Sequence, residues 1–167
     1  IEYVIGTKYN DVLVGNAAAN MLQGMQGSDS ISGLGGNDSL YGGEGNDTLA
    51  GGENDDFLEG GSGFDVVSGG AGVDRVDYAS STLGVRISLD GVANDGVIQP
   101  GLTGAQHFRD NYFADIEQIT GSQFNDVIVG SALNNTLFGN GGNDVIFGGA
   151  GKDVIYGGAV SYTHLTR

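Results

Sequence analysis

Over much of this chain an Asp or Asn recurs at every ninth residue, and an aliphatic side chain stands two residues beyond each. Cutting from Gly6 gives GTKYNDVLV, GNAAANMLQ, GMQGSDSIS, GLGGNDSLY, GGEGNDTLA, GGENDDFLE, GGSGFDVVS and GGAGVDRVD, eight consecutive units ending at Asp77. The sixth positions are Asp11, Asn20, Asp29, Asp38, Asp47, Asp56, Asp65 and Asp74, and the eighth are Leu13, Leu22, Ile31, Leu40, Leu49, Leu58, Val67 and Val76. A second block from Gly121 reads GSQFNDVIV, GSALNNTLF, GNGGNDVIF and GGAGKDVIY, with Asp126, Asn135, Asp144 and Asp153 at the sixth position. Ile1-Glu2 and Ile116-Glu117 precede the two blocks at the same distance, as in two copies of one array. Carboxylates in this phase, with no Cys and only two His in the chain, supply hard oxygen, which suits divalent cations rather than nucleophilic or acid–base chemistry.

The elements that would position these carboxylates follow from the period. The first six residues of a unit are rich in Gly, which tolerates positive φ and suits a tight turn. The last three form a short strand whose middle, aliphatic residue points to one face and its neighbours to the other. Two units make one coil, and stacked coils bury a ladder of aliphatic residues that no unit buries alone. Units two apart then stack about 4.8 Å apart, which places a Ca²⁺ midway between two turns at its ordinary oxygen distance of about 2.3–2.6 Å. The candidate pairs are Asp29 with Asp47, Asp38 with Asp56, Asp47 with Asp65, Asp56 with Asp74, Asp126 with Asp144 and, with a poorer turn, Asp11 with Asp29. Like charges at that spacing repel by roughly 0.9 kcal/mol per pair even in water. Metal binding energy therefore becomes folding energy, and the metal-free chain is expected to be largely disordered.

Composition excludes other classes. With 33 Gly in 167 residues and a formal net charge of −15, composition alone would suit a disordered acidic tract. Ten of the 16 Asp fall on the sixth position, however, each followed two residues on by an aliphatic side chain, and disorder has no reason to keep that phase. Six scattered Lys and Arg offer no patch for nucleic acid or anionic lipid. No apolar run reaches the length of a membrane-spanning helix, and no signal-peptide pattern opens the chain. The absence of Cys excludes a disulfide framework and thiolate metal sites.

The units GGEGNDTLA, GGSGFDVVS, GGAGVDRVD and GGAGKDVIY match the pattern GGxGxDxUx and resemble the RTX (repeats-in-toxin) calcium-binding repeats of bacterial exoproteins. The resemblance implies an all-β fold, a parallel β-roll (right-handed β-solenoid). It implies several Ca²⁺ held by the sixth-position Asp and by turn carbonyls, here those of Gly43, Gly45, Gly61, Gly63, Gly70, Gly72, Gly149 and Gly151. It also implies a secreted, extracellular bacterial protein, exported unfolded by type I secretion machinery and folded by calcium outside. In that family the repeats are accessory modules of toxins, proteases, lipases and adhesins. Units at Gly6, Gly15, Gly121 and Gly130 lack the GGxG turn, and Asn20 and Asn135 replace Asp. Those coils are expected to keep the fold and to bind calcium poorly or not at all. The turn count suggests roughly five to eight ions.

The expected organisation is a first roll over 1–77, an irregular extension and aromatic linker over 78–118, a second roll over 119–158 and a non-repeat tail over 159–167 that suggests a fragment of a longer protein. In the extension, GVRISLD alternates with Val85, Ile87 and Leu89 on one face and reads as a strand that widens one coil of the roll. Residues 91–105, with Pro100, read as a loop. His107, Phe108, Tyr112 and Phe113 form an aromatic cluster, read as packing against the roll in preference to a ligand patch. Asp90, Asp95, Asp110 and Asp115 are expected to be solvated loop carboxylates rather than an irregular cation site. The ninth positions of the second block, Val129, Phe138, Phe147 and Tyr156, should face outward as an association surface or lie under the linker.

Three functions compete: a structural calcium-binding module of a larger exoprotein or adhesin, an accessory domain of a secreted enzyme, and a surface- or ice-binding solenoid. The chain carries no HExxH, GxSxG or P-loop, so catalysis within it is not expected. The third positions of the first block, Lys8, Ala17, Gln26, Gly35, Glu44, Glu53, Ser62 and Ala71, form no repeated row for a flat ligand. The structural module is favoured, and no pattern indicates an oligomeric state.

Overall fold

The computed structural model describes residues 2–98, 110–158 and 164–166; Pro100, His107 and Phe108 lie outside them. The chain divides into two compact units, Ile1–Val76 and Asp77–Arg167. No helix occurs among the described residues, and the strands stack as a β-solenoid.

In the first unit the strands are β1 (Glu2–Ile5), β2 (Val12–Val14), β3 (Asn20–Gln26), β4 (Ser30–Gly35), β5 (Ser39–Glu44), β6 (Thr48–Glu53), β7 (Phe57–Ser62), β8 (Val66–Ala71) and β9 (Arg75–Asp77), which reaches the boundary. They alternate between two parallel sheets, β1-β3-β5-β7-β9 and β2-β4-β6-β8. Each strand pairs with the one two units on, as in Leu22↔Leu40 and Ile31↔Leu49. This register carries the eighth-position residues inward. Leu22, Ile31, Leu40, Leu49, Leu58, Val67 and Val76 are at most 1 % exposed, each burial worth about 1.5–3 kcal/mol. Sheet pairing thus supplies the stacking that the nine-residue period requires.

The second unit holds β10 (Val85–Ser88), β11 (Gly96–Val97), β12 (Asn111–Tyr112), β13 (Gln118–Thr120), β14 (Val127–Val129), β15 (Thr136–Phe138), β16 (Val145–Phe147), β17 (Val154–Tyr156) and β18 (His164–Thr166). One sheet runs β13-β15-β17 and the other β11-β10-β14-β16-β18. β11 is antiparallel to its neighbour, β10. The alternation in GVRISLD has the expected outcome: Val85, Ile87 and Leu89 are buried, and β10 pairs in parallel with β14 through Ile87↔Ile128. A long excursion replaces the usual 18 residues of a coil, since the Val85 N–H donates to a carboxylate 41 residues on. β18 pairs with β16, so a strand forms in the tail even though its sequence carries no nonapeptide signature.

The aromatic cluster divides. Tyr112 is fully buried and packs edge-on against Tyr78, with ring centroids 6.3 Å apart, whereas Phe113 is exposed. Phe138 and Tyr156 share one face and stack at 4.8 Å, and Val129 registers with Phe147. The expectation of solvated loop carboxylates fails at two positions. Asp95 and Asp110 are buried, because they face each other in an antiparallel bridge rather than sitting in an open loop.

Candidate metal centres in the turns

Parallel pairing brings the sixth-position residues of successive coils into register, and a backbone hydrogen bond locks each to the next. The Asp11 N–H donates to Asp29 Oδ1 at 2.8 Å, that of Asp29 to Asp47 at 2.8 Å, and that of Asp47 to Asp65 at 3.0 Å. On the other side Asn20 donates to Asp38 at 2.7 Å, Asp38 to Asp56 at 2.8 Å and Asp56 to Asp74 at 2.9 Å. In the second block Asp126 donates to Asp144 and Asn135 to Asp153, both at 3.0 Å. All six carboxylate pairs expected from the period are therefore stacked neighbours. Each uses Oδ1 to complete the coil before it.

The other oxygen distinguishes two kinds of turn. In eight units the second and fourth residues both lie at positive φ: Met25 and Gly27, Leu34 and Gly36, Gly43 and Gly45, Gly52 and Asn54, Gly61 and Gly63, Gly70 and Gly72, Asn140 and Gly142, Gly149 and Gly151. These may be called open turns. Their sixth residues are all Asp, and Oδ2 of Asp29, Asp38, Asp47, Asp56 and Asp144 is buried with no hydrogen-bond partner. Such an orphaned acceptor costs about 1–3 kcal/mol or more when charged, so its recurrence calls for a positive partner.

The space beside that oxygen is shaped by Gly. A Cβ on Gly24 would lie 2.2 Å from Asp29 Oδ2 and 2.7 Å from the Gly42 carbonyl oxygen of the next coil. A Cβ on Gly45 would lie 1.9 Å from the Gly27 carbonyl oxygen, at a φ of 133° that disfavours any side chain. The glycines thus leave carbonyl oxygens bare around a buried carboxylate oxygen. That donor set, entirely hard oxygen from one carboxylate and several carbonyls, fits Ca²⁺. It also explains why no three acidic or His side chains converge among the described residues: most ligands would be backbone.

The electrostatics agree. Burial raises the pKa of Asp38, Asp47, Asp126 and Asp144, and raises that of Asp56 to about 6. The backbone N–H of Asp38 opposes the shift at Asp56, and the charges of Asp38 and Asp55 add to it. Carboxylates held in this way favour a proton or a cation over standing alone.

The four remaining units, at Gly6, Gly15, Gly121 and Gly130, have closed turns. The N–H of the second residue donates to the sixth: Thr7 to Asp11 at 2.6 Å, Asn16 to Asn20 at 2.8 Å, Ser122 to Asp126 at 2.7 Å and Ser131 to Asn135 at 2.8 Å. The side-chain oxygen of that second residue also accepts the N–H two residues on, that of Tyr9, Ala18, Phe124 or Leu133. The sequence carried this signal as a Thr, Asn or Ser directly after the leading Gly, a residue type that bonds its own turn, combined with a fourth residue other than Gly or Asn; Asn140, followed by Gly142, stands in an open turn.

A family model described as the RTX calcium-binding nonapeptide repeat, in four copies, matches residues 1–27, 14–49, 23–58, 50–80 and 129–161, about two thirds of the chain. No curated protein matches it.

Proposed function

Because the chain belongs to the family of RTX calcium-binding nonapeptide repeats, and so binds Ca²⁺ at its repeats, we propose that it is a calcium-folded structural module of a larger secreted bacterial exoprotein or adhesin. The repeated orphaned Oδ2 beside bare carbonyls carries this reading. In it Asp29, Asp38, Asp47, Asp56, Asp65, Asp74, Asp144 and Asp153 are the carboxylate ligands, and carbonyls of the Gly-rich turns complete each shell. A further support is conformational. Met25 and Leu34 sit at φ of 87° and 75°, a conformation that costs a non-glycine residue roughly 1–2 kcal/mol. An ion bridging the turn would add to the strand pairing of Met25 with Gly43 and of Leu34 with Gly52 in offsetting that cost.

The family is typically secreted, and extracellular calcium makes a useful signal for such a module. The chain stays extended while calcium is scarce, as passage through a type I secretion channel requires, and folds on meeting it. No described helix is long and apolar enough to cross a membrane. The test is far-UV circular dichroism of chelated protein titrated with Ca²⁺, with Mg²⁺ as control. A steep rise in β signal with Ca²⁺ alone is expected. An equal β signal in chelator would show that the aliphatic ladder folds by itself, and the proposal would fail.

A further inference from the structure

The two kinds of turn are distributed in a pattern. The closed turns come as consecutive pairs, Gly6 with Gly15 and Gly121 with Gly130, and each pair stands directly before a run of open turns. Consecutive units lie on opposite sides of one coil, so in each array a coil closed on both sides precedes the open ones. We infer that the second and fourth residues of each unit decide whether its turn takes calcium, and that the four turns led by Thr7, Asn16, Ser122 and Ser131 take none, with a hydrogen bond occupying the oxygen that a metal would use. The inference rests on the calcium reading above and sharpens it, since it removes Asp11 and Asp126 from the ligands expected from the period.

Three observations converge. The first is geometric. Asp126 is fully supplied without a cation: Oδ2 accepts the Ser122 N–H at 2.7 Å, and Oδ1 accepts the Val85 N–H and the Ser122 hydroxyl, each at 2.7 Å. Asp11 Oδ2 likewise accepts both the N–H and the hydroxyl of Thr7, at 2.6 and 2.9 Å. The second is chemical. A closed turn needs one acceptor and no charge, and two of the four have Asn at the sixth position, Asn20 and Asn135, where Oδ1 does the same work. All eight open turns have Asp, as a site that must offset a divalent charge requires.

The third is conformational. Turning the second residue to positive φ swings its N–H away from the carboxylate, and the fourth residue must follow. The fourth residues of closed turns are Tyr9, Ala18, Phe124 and Leu133, which avoid positive φ, whereas those of open turns are Gly or, once, Asn54. Asn is the residue that tolerates that region best after Gly, so Asn54 keeps its unit open despite the missing Gly. A leading coil closed by its own side chains needs no ion to hold its turns. It can act as a fixed template on which the first metal-bearing coil stacks.

The experiment counts ions bound to the full chain in saturating Ca²⁺ by native mass spectrometry. Asp11→Asn and Asp126→Asn are expected to keep the wild-type count, and Asp47→Asn to lose at least one ion. The double variant Thr7→Gly/Tyr9→Gly rebuilds the first unit as an open turn and is expected to gain one. Loss of an ion in Asp11→Asn or Asp126→Asn, or no gain in the double variant, overturns the inference while leaving calcium binding intact. A wild-type chain that binds no calcium would instead overturn the reading beneath it.

Discussion

The carboxylates of the open turns and the Asp95–Asp110 pair face the same difficulty and meet it differently. Asp29, Asp38, Asp47, Asp56 and Asp144 of the turns are buried, as are Asp95 and Asp110, and all stand close to other carboxylates. In the turns, Asp29, Asp38, Asp47, Asp56 and Asp144 each leave one oxygen without a hydrogen-bond partner beside turn carbonyls, a setting that fits a cation. In the extension, Asp95 accepts the N–H of Ser88 at 2.6 Å and of Tyr112 at 3.4 Å, and its bridge partner Asp110 accepts the Tyr78 hydroxyl at 3.2 Å, itself in close contact with the Tyr112 hydroxyl. Burial first, and then the charges of Asp90 and Asp110, push Asp95 up to about 8. The extension therefore neutralises its charge with a proton and hydroxyl donors. One chain thus stabilises buried acid by metal where the coil repeats and by protonation where the repeat is interrupted.

The comparison can be broken most forcefully at Asp47. Asp47→Ala removes the acceptor of the Asp29 N–H and a carboxylate shared by two stacked pairs. The lost charge-assisted hydrogen bond alone costs about 1.5–3 kcal/mol, and the lost ligand adds to it. Thermal unfolding should show a large fall in calcium-loaded stability and a rise in the calcium midpoint. A shift of the same size in chelator would mean that the turn carboxylates are not metal-dependent, and the contrast would collapse.

The next effect tests the other side. Asp95 keeps its proton in the folded chain up to about pH 8, whereas in the unfolded chain it releases it near the ordinary 3.8. Its stabilising contribution is complete below that lower value, declines as pH rises between the two, and is lost above the upper one. Asp95→Asn should remove this decline, so the variant gains on wild type as pH is raised at fixed, saturating calcium. If wild type and variant keep a constant difference from pH 5 to pH 8 (about the window of one raised carboxyl), Asp95 is not protonated in the fold. The smallest change is Tyr78→Phe, which deletes one hydroxyl donor to Asp110 and should cost about 0.5–1.5 kcal/mol in chemical denaturation. That cost should be indifferent to calcium concentration, and a calcium-dependent cost would merge the two solutions into one.

The repeat was legible because its signals are local and periodic. Leu40 and Leu58 announce a buried ladder by their spacing, and Asp47 announces its stacked partners by the same count. The strand at Val85–Ser88 was legible for the same reason, since alternation reports a face. What local pattern does not report is pairing across an irregular excursion. Asp95 and Asp110 read as loop residues because each lies among polar, glycine-rich or aromatic neighbours, and only the antiparallel bridge between them puts both inside. The tail strand at His164–Thr166 had no pattern at all and owes its existence to the edge offered by β16. The closed turns sat between these cases. Ser122 and Thr7 were visible as departures from glycine, but that they replace a metal rather than merely weaken it depends on where their N–H groups point.

The ladder of Oδ1 hydrogen bonds has a direction. Every sixth-position residue with a stacked partner receives its acceptor from the coil that follows it, never from the one before. The backbone answers in the opposite sense, since Ser30, Thr48, Phe57 and Val66 donate their N–H groups to the carbonyls of Asp11, Asp29, Asp38 and Asp47 in the coil before. Each junction is thus a two-way clasp, and neither coil has its full set of partners without the other. An array held in this way frays from its exposed ends and resists opening in its middle, where a break would leave two coils half-supplied.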